Sequence, residues 1–201
     1  MEIRHPSGCG GTLRFPLPPG SAAAVNMIPT LTTTRLRLRP FREADLDAYA
    51  AMCADVEVMR FIGAGGPVGA DVAWRHVALF LGAWALRGHG MWALEERASA
   101  RLVGRVGFLD PPDWPGCELG WLLARSAWGH GYALEGARAA RDYGRDALGL
   151  TELISLIRPD NLRSIALAER LGAAAGQTID FMGQPCVLYR HASGPVPQAA
   201  A

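Results

Sequence analysis

The run Trp128-Gly129-His130-Gly131-Tyr132-Ala133 is the part of this sequence best suited to chemistry. Its two glycines and its alanine permit a turn in which backbone N–H groups converge on one point. A helix starting there adds the partial positive charge of its N-terminus, so the turn suits a phosphate. A dinucleotide fingerprint would need glycine where Leu134 stands, and a P-loop would need a Gly-Lys-Ser/Thr triplet that the chain lacks. Upstream, Glu118 precedes the apolar run Leu119-Gly120-Trp121-Leu122-Leu123. Partial burial there would raise its pKa toward neutrality, as a general base requires. The same carboxylate could instead pin the loop Trp114 to Gly116 by hydrogen bonds. Cys117 beside it is a nucleophile to weigh, but no base stands near it in the sequence. His130, inside the turn, should face solvent or phosphate and not act as a catalyst. His76 and His89 have no partner visible in sequence.

The elements that must hold these residues follow from periodicity. Glu118 to Leu123 reads as a strand leading into the turn. Tyr132 to Leu148 reads as a helix, with Ala133, Ala137, Ala140 and Gly144 on one stripe that would lie close on a sheet. Leu153 to Ile157 is apolar except for Ser155, as in a central strand. Asn161 is an N-cap and Gly172 a terminator for the next helix. Earlier, Thr34 to Arg39 alternates, with Leu36 and Leu38 inward. One helix carries Leu46, Tyr49, Ala50 and Cys53, and another spans Asp71 to Leu86, where Trp74 and Trp84 read as core. Strands follow at Met91 to Glu95 and Leu102 to Leu109, and two weaker ones at Gln177 to Phe181 and Cys186 to Arg190. This order predicts an α/β chain with a mixed sheet and helices on both faces, and parallel pairing only around Glu118 to Ile157. Residues 1–30 read as a flexible tail, 31–192 as the domain and 193–201 as a second tail, with Met27 an alternative start.

The chain has 201 residues and a net charge of +1, with half its residues hydrophobic. That fits one domain, without the global field that would draw nucleic acid or an anionic membrane. Its four cysteines show neither CxxC nor metal-ligand spacing, which predicts no metal and free thiols in a reducing cytoplasm. No apolar run reaches the roughly 20 residues that span a bilayer.

On three ordered blocks the chain resembles the GNAT acetyltransferase superfamily. That pattern reads Arg/Gln-x-x-Gly-x-Gly/Ala; here Gly131 and Ala133 fill the small positions, Gly129 and His130 the variable ones, and Trp128 stands in the Arg/Gln slot. Trp-Gly-x-Gly-Tyr-Ala is the form of the branch resembling ribosomal-protein N-terminal (RimJ/RimL-like) acetyltransferases. Gly120-Trp121 and the blocks Pro159-Asp160-Asn161-Leu162-Arg163-Ser164 and Ala168-Glu169-Arg170-Leu171-Gly172 extend the likeness over about Thr33 to His191.

The resemblance implies a central, mostly antiparallel sheet of about seven strands, in which the parallel pair Glu118–Leu123 and Leu153–Ile157 splays apart. Acetyl-CoA would lie in that fork. Its arm would pair with the backbone of Trp121, Leu122 and Leu123, and its pyrophosphate would sit over the turn from Trp128 through Gly129, His130, Gly131, Tyr132 and Ala133. Asn161 and Ser164 would reach the far side of the arm. Glu118 would serve as base, a backbone N–H near Leu122 or Leu123 as oxyanion donor, and Ser164 as acid, since the helix after Asn161 has no tyrosine. Trp114 and Trp121 would flank the acceptor mouth. The implied reaction is direct attack of a primary amine, on a protein N-terminus or a small molecule, upon the thioester in a ternary complex. A non-catalytic acyl-CoA sensor of the same fold and a transferase for another acyl group, such as succinyl, are the alternatives. The sequence leaves monomer and homodimer open. Few charges fall in residues 61–90 and 176–186, which favours a small or apolar-flanked amine.

Overall fold

The computed structural model describes residues 28–192; the expected tail 193–201, the Met27 start and most of the expected tail 1–30 lie outside them. Within the described part, Pro29 is already tied to the sheet, its carbonyl accepting the Trp92 indole N–H at 2.8 Å. The chain runs β1 (Leu31–Thr32), β2 (Leu36–Arg39), α1 (Leu46–Ala54), α2 (Val56–Met59), α3 (Ala70–Arg87), β3 (Met91–Glu96), β4 (Leu102–Leu109) and β5 (Cys117–Leu123). It continues through α4 (Tyr132–Leu148), β6 (Leu153–Ile157), α5 (Leu162–Arg170), β7 (Ala174–Phe181) and β8 (Gln184–Arg190). The strands form one sheet of eight in the order β1-β2-β3-β4-β5-β6-β8-β7. Every neighbouring pair is antiparallel except β5 and β6. The two-residue β1 adds a strand to the seven expected. No helix of the described residues is long and apolar enough to cross a membrane.

Alternation along the strands divides the core in two. Trp92, Leu94, Val106, Phe108, Leu119 and Leu123 face α4. Its alanines Ala137 and Ala140 are fully buried, and at Gly144 a Cβ would come within 2.5 Å of the Phe108 ring. The small stripe therefore sets the helix close on the sheet. On the other face, Met91, Ala93 and Leu122 pack against Tyr49 and Met52 of α1 and Phe80 of α3. Of the two tryptophans expected in the core of α3, Trp84 is buried, whereas Trp74 is 57% exposed. The helix buries the single stripe Ala73, Val77, Phe80 and Trp84, and Trp74 lies outside it.

The β5–β6 pair is short. Only Cys117 with Leu153 and Glu118 with Ile154 stay in register, and beyond them the strands part. Just past the parting, the Ser155 hydroxyl donates to the Leu119 carbonyl at 2.7 Å and meets His191 Nε2 at 2.9 Å. With its proton given to Leu119, Ser155 must accept from His191, which fixes the Nε2–H tautomer. Nδ1 is buried and has no hydrogen-bond partner among the described residues. Burial, with Arg141 adding to it, pushes the His191 pKa down from 6.5 to about 4. The unfolded chain thus takes up this proton near pH 6.5 and the folded chain only near 4. Stability is lost as pH falls through that window, by about 3 kcal/mol when complete. Urea midpoints measured from pH 7 to 4 should fall more steeply for the wild type than for His191→Gln; equal slopes would refute this.

Candidate functional site

After β5 a single 3₁₀ turn, Arg125–Ala127, leads through Gly129 (φ +80°) and Gly131 (φ +76°) into α4. These left-handed conformations disfavour any residue with a Cβ, which is why glycines occupy them. The N–H groups of Gly129 through Ala133 bond no protein acceptor among the described residues. They stand open where the helix begins, as a phosphate requires. The turn is braced from outside. Arg35 donates from Nη1 to the His130 carbonyl at 2.8 Å and from Nε to Glu135 at 2.7 Å, with its guanidinium over the Tyr132 ring. The Tyr132 hydroxyl donates to Glu96 at 2.5 Å. His130 is exposed and stacks on Tyr132.

Trp128 acts as a second brace. Its indole N–H donates to the Leu123 carbonyl at 3.0 Å, and the Arg163 guanidinium lies 4.2 Å above its ring. Beside it runs a groove of about 1020 Å³, bounded by α2 and residues 60–62 on one side, by the end of β5 and the glycine turn, and by the start of α5. The backbone along β5 alternates. Leu119 turns its carbonyl toward β6, whereas Ala124 donates its N–H to Val103 of β4 at 2.9 Å. By that alternation Trp121 and Leu123 present their main chain to the open fork, and Leu122 presents its own to β4, opposite Arg105. Leu122 thus lines the groove without offering it a free backbone pair.

Across the fork, Asn161 caps α5, its side-chain oxygen accepting the Ser164 N–H at 3.3 Å. The Ser164 hydroxyl accepts the Trp121 indole N–H at 3.2 Å, so its own proton remains to be donated. Glu118 accepts the Trp114 indole N–H on Oε2 at 2.8 Å, and Trp114 in turn packs edge-on against Phe181. Desolvation pushes the Glu118 pKa up, and Trp114, Arg105 and the Leu156 N–H partly offset it. One oxygen therefore holds the Trp114 loop, as the anchoring reading expected, and burial raises the pKa of the carboxyl. The Cys117 thiol is pushed up to about 12 by burial and by Asp110 and Glu118, so it stays protonated at neutral pH. His89 sits 3.6 Å from Asp110, and His76 stacks on Phe80.

Two parts of the site were not legible in the sequence. The four-residue α2 forms one wall of the groove, started by Asp55, whose side chain accepts from the N–H groups of Glu57 and Val58. Arg35 holds the turn from almost a hundred residues away, and its place just before Leu36 marks it only as outward-facing.

Residues 35–174 match the acetyltransferase (GNAT) domain family. The chain is similar to the FsC-acetyl coenzyme A-N(2)-transacetylase of Aspergillus fumigatus, with 30% identity over 159 residues, 75% of this chain and 67% of that one. Its fold superposes on an acetyltransferase from Agrobacterium tumefaciens with a TM-score of 0.73 and 35% identity, over 82% of this chain and 94% of that one. Mycobacterium smegmatis RimJ, solved in complex with CoA-disulfide, shares the fold at a TM-score of 0.66 and 18% identity, over 82% and 85% of the two chains.

Proposed function

The chain belongs to the GNAT acetyltransferase family and is an acyltransferase; from that premise we propose that it transfers the acetyl group of acetyl-CoA to a primary amine within one ternary complex. The strongest support is the set of open N–H groups from Gly129 to Ala133, at the mouth of a groove that continues into the β5–β6 fork. A diphosphate fits such a cradle, and an extended amide-bearing arm fits the unpaired edge of β5 as an added strand. The Trp-Gly-x-Gly-Tyr-Ala form of the turn favours the RimJ/RimL-like branch, and with it a protein N-terminal or small-molecule amine as acceptor.

In this reading Glu118 takes a proton from the attacking amine, directly or through water. An α-amino group, with a pKa of about 8, needs little such help, and a lysine, at about 10.4, needs more. The nitrogen bonds the acyl carbon as the carbon–sulfur bond breaks. The N–H of Leu123, facing the fork, is the donor placed to stabilise the oxyanion, and the Ser164 hydroxyl gives its proton to the departing thiolate. Cys117, a half-buried thiol whose pKa is pushed up, takes no part, so no acyl-enzyme forms.

Calorimetry with acetyl-CoA, followed by a mass-spectrometric screen of amines, tests this. Saturable binding of acetyl-CoA and a product 42 Da heavier than its amine, the mass of an acetyl group replacing a proton (~42 Da), are the expected results. Absence of binding at high concentration would end the proposal.

A further inference from the structure

Arg105 is a buried cation that forms no ion pair among the described residues, although it lies near enough to Glu118 to hold that carboxyl's pKa down in part. It lies on β4 between Ala93 and Leu122, on the face covered by α1 and α3, and is 7% exposed. Nε has no hydrogen-bond partner among the described residues. Nη1 reaches only the Met91 sulfur at 3.5 Å, a weak acceptor, and the guanidinium lies over the Phe80 ring. No carboxylate among the described residues forms an ion pair with it. The other buried arginine of this face, Arg39, differs in that Asp45 and Glu95 both pair with it. Arginine is rarely buried unpaired, because its desolvation is then uncompensated. Beside it the Tyr49 hydroxyl, fully buried, also lacks a hydrogen bond, although Arg105 and Cys53 are its polar neighbours.

The surroundings place these orphaned groups next to Glu118. In the adjoining row of this face the paired positions on β4 and β5 are Gly107 and Gly120, which carry no side chain. The point where a Gly120 Cβ would stand is 3.8 Å from Glu118 Oε1 and 3.9 Å from Arg105 Nη1. The Met91 methyl, the far end of a flexible side chain, is 3.0 Å from that point and covers it. Glu118 and Gly120 both keep part of their surface open to solvent, which gives a way in.

We propose that Arg105, with Tyr49, is an anion subsite that takes the carboxylate of a reactant, reached over Gly120 when Met91 swings aside. The proposal deepens the acetyl-transfer reading and rests on it for the assignment of Glu118. A small molecule with its amine at Glu118 and its carboxylate at Arg105 would bridge the two, so the favoured acceptor is an amino acid. The same chemistry could come from the far end of a dicarboxylic acyl group, and the experiment separates the two sources.

The test compares wild type with Arg105→Met and Tyr49→Phe, using alanine and alaninamide as acceptors with acetyl-CoA, and alaninamide with succinyl-CoA. Arg105→Met should fold at least as well as the wild type, since it removes an unpaired buried charge. Removing the charge also lets the Glu118 pKa rise, so rates are compared on the upper plateau of each protein's pH profile; there the variant should raise KM for the carboxylated reactant about 10- to 100-fold and leave kcat/KM for the acetyl-CoA–alaninamide pair within about threefold. Tyr49→Phe should act in the same direction, more weakly. Selective loss with alanine assigns the carboxylate to the acceptor, and selective loss with succinyl-CoA assigns it to the acyl group. Equal loss in all arms would overturn the subsite and leave Arg105 as a counter-charge for Glu118; an unchanged enzyme would overturn it as well. Calorimetry of free alanine on each protein, without acetyl-CoA, reads carboxylate binding even if no amine is acetylated, so failure of the transfer reaction is told apart from failure of the subsite.

Discussion

Gly131→Val is expected to weaken acetyl-CoA binding by about 100-fold or more. Space is not the obstacle, since the nearest atom to an added Cβ is Arg35 Nη2 at 3.5 Å, an ordinary contact. The obstacle is the backbone: φ at Gly131 is +76°, a conformation that costs a β-branched residue on the order of 1–3 kcal/mol. Valine relieves that strain by turning the peptide planes of the turn, and the N–H groups that converge there move apart. Hydrogen bonds to a charged group contribute about 1.5–3 kcal/mol each, so loss of one, with the strain, gives the stated factor. Calorimetry on folded variant protein measures it, with a circular dichroism spectrum to confirm the fold. An affinity within threefold of the wild type would mean that the turn does not grip the diphosphate.

Glu118→Gln should lower kcat/KM by about 10²- to 10⁴-fold, the usual range for loss of a general base. The substitution is chosen because the Gln carbonyl can still accept the Trp114 indole N–H, which preserves the loop contact while removing the base. Burial disfavours the charged carboxylate, so its pKa lies above the ordinary 4.5, and the wild-type rate should fall as pH drops through that raised value. In the variant this acidic limb should vanish and leave only the titration of the amine itself. Acetyl-CoA affinity should stay within about twofold, because no part of the phosphate turn is touched. A variant with near-normal kcat/KM and an unchanged pH profile would reduce Glu118 to an anchor for Trp114.

Legibility in the sequence tracked how local the physics was. The bounds of α4 and β6 could be read directly, because an alanine stripe ending before Gly149 and an apolar run interrupted only by Ser155 are signals carried by neighbouring residues. The turn itself was legible too, since glycines at 129 and 131 permit the left-handed conformations found there. What escaped was set by partners far along the chain. Strand β7 begins at Ala174, three residues before its expected start, because pairing with Arg190 and Tyr189 of β8 recruits alanines with little strand preference of their own. The four residues of α2 are too few to show a period. A tryptophan on an amphipathic helix reads as core, but Trp74 lies outside the stripe that the packing of α3 buries. Nothing in the run Leu102 to Leu109 marks Arg105 as buried, since its burial depends on α1 and α3 covering that face of the sheet.

The two-residue register between β5 and β6 has a further consequence. The sheet is two rafts, β1 to β5 and β6 to β8, stitched along a short seam that the Ser155 hydroxyl extends. A ligand lying in the fork as a surrogate strand would sew the remaining length. The empty enzyme should then behave as two loosely joined halves and the loaded one as a single unit, so that occupancy by the coenzyme governs how cooperatively the whole sheet melts.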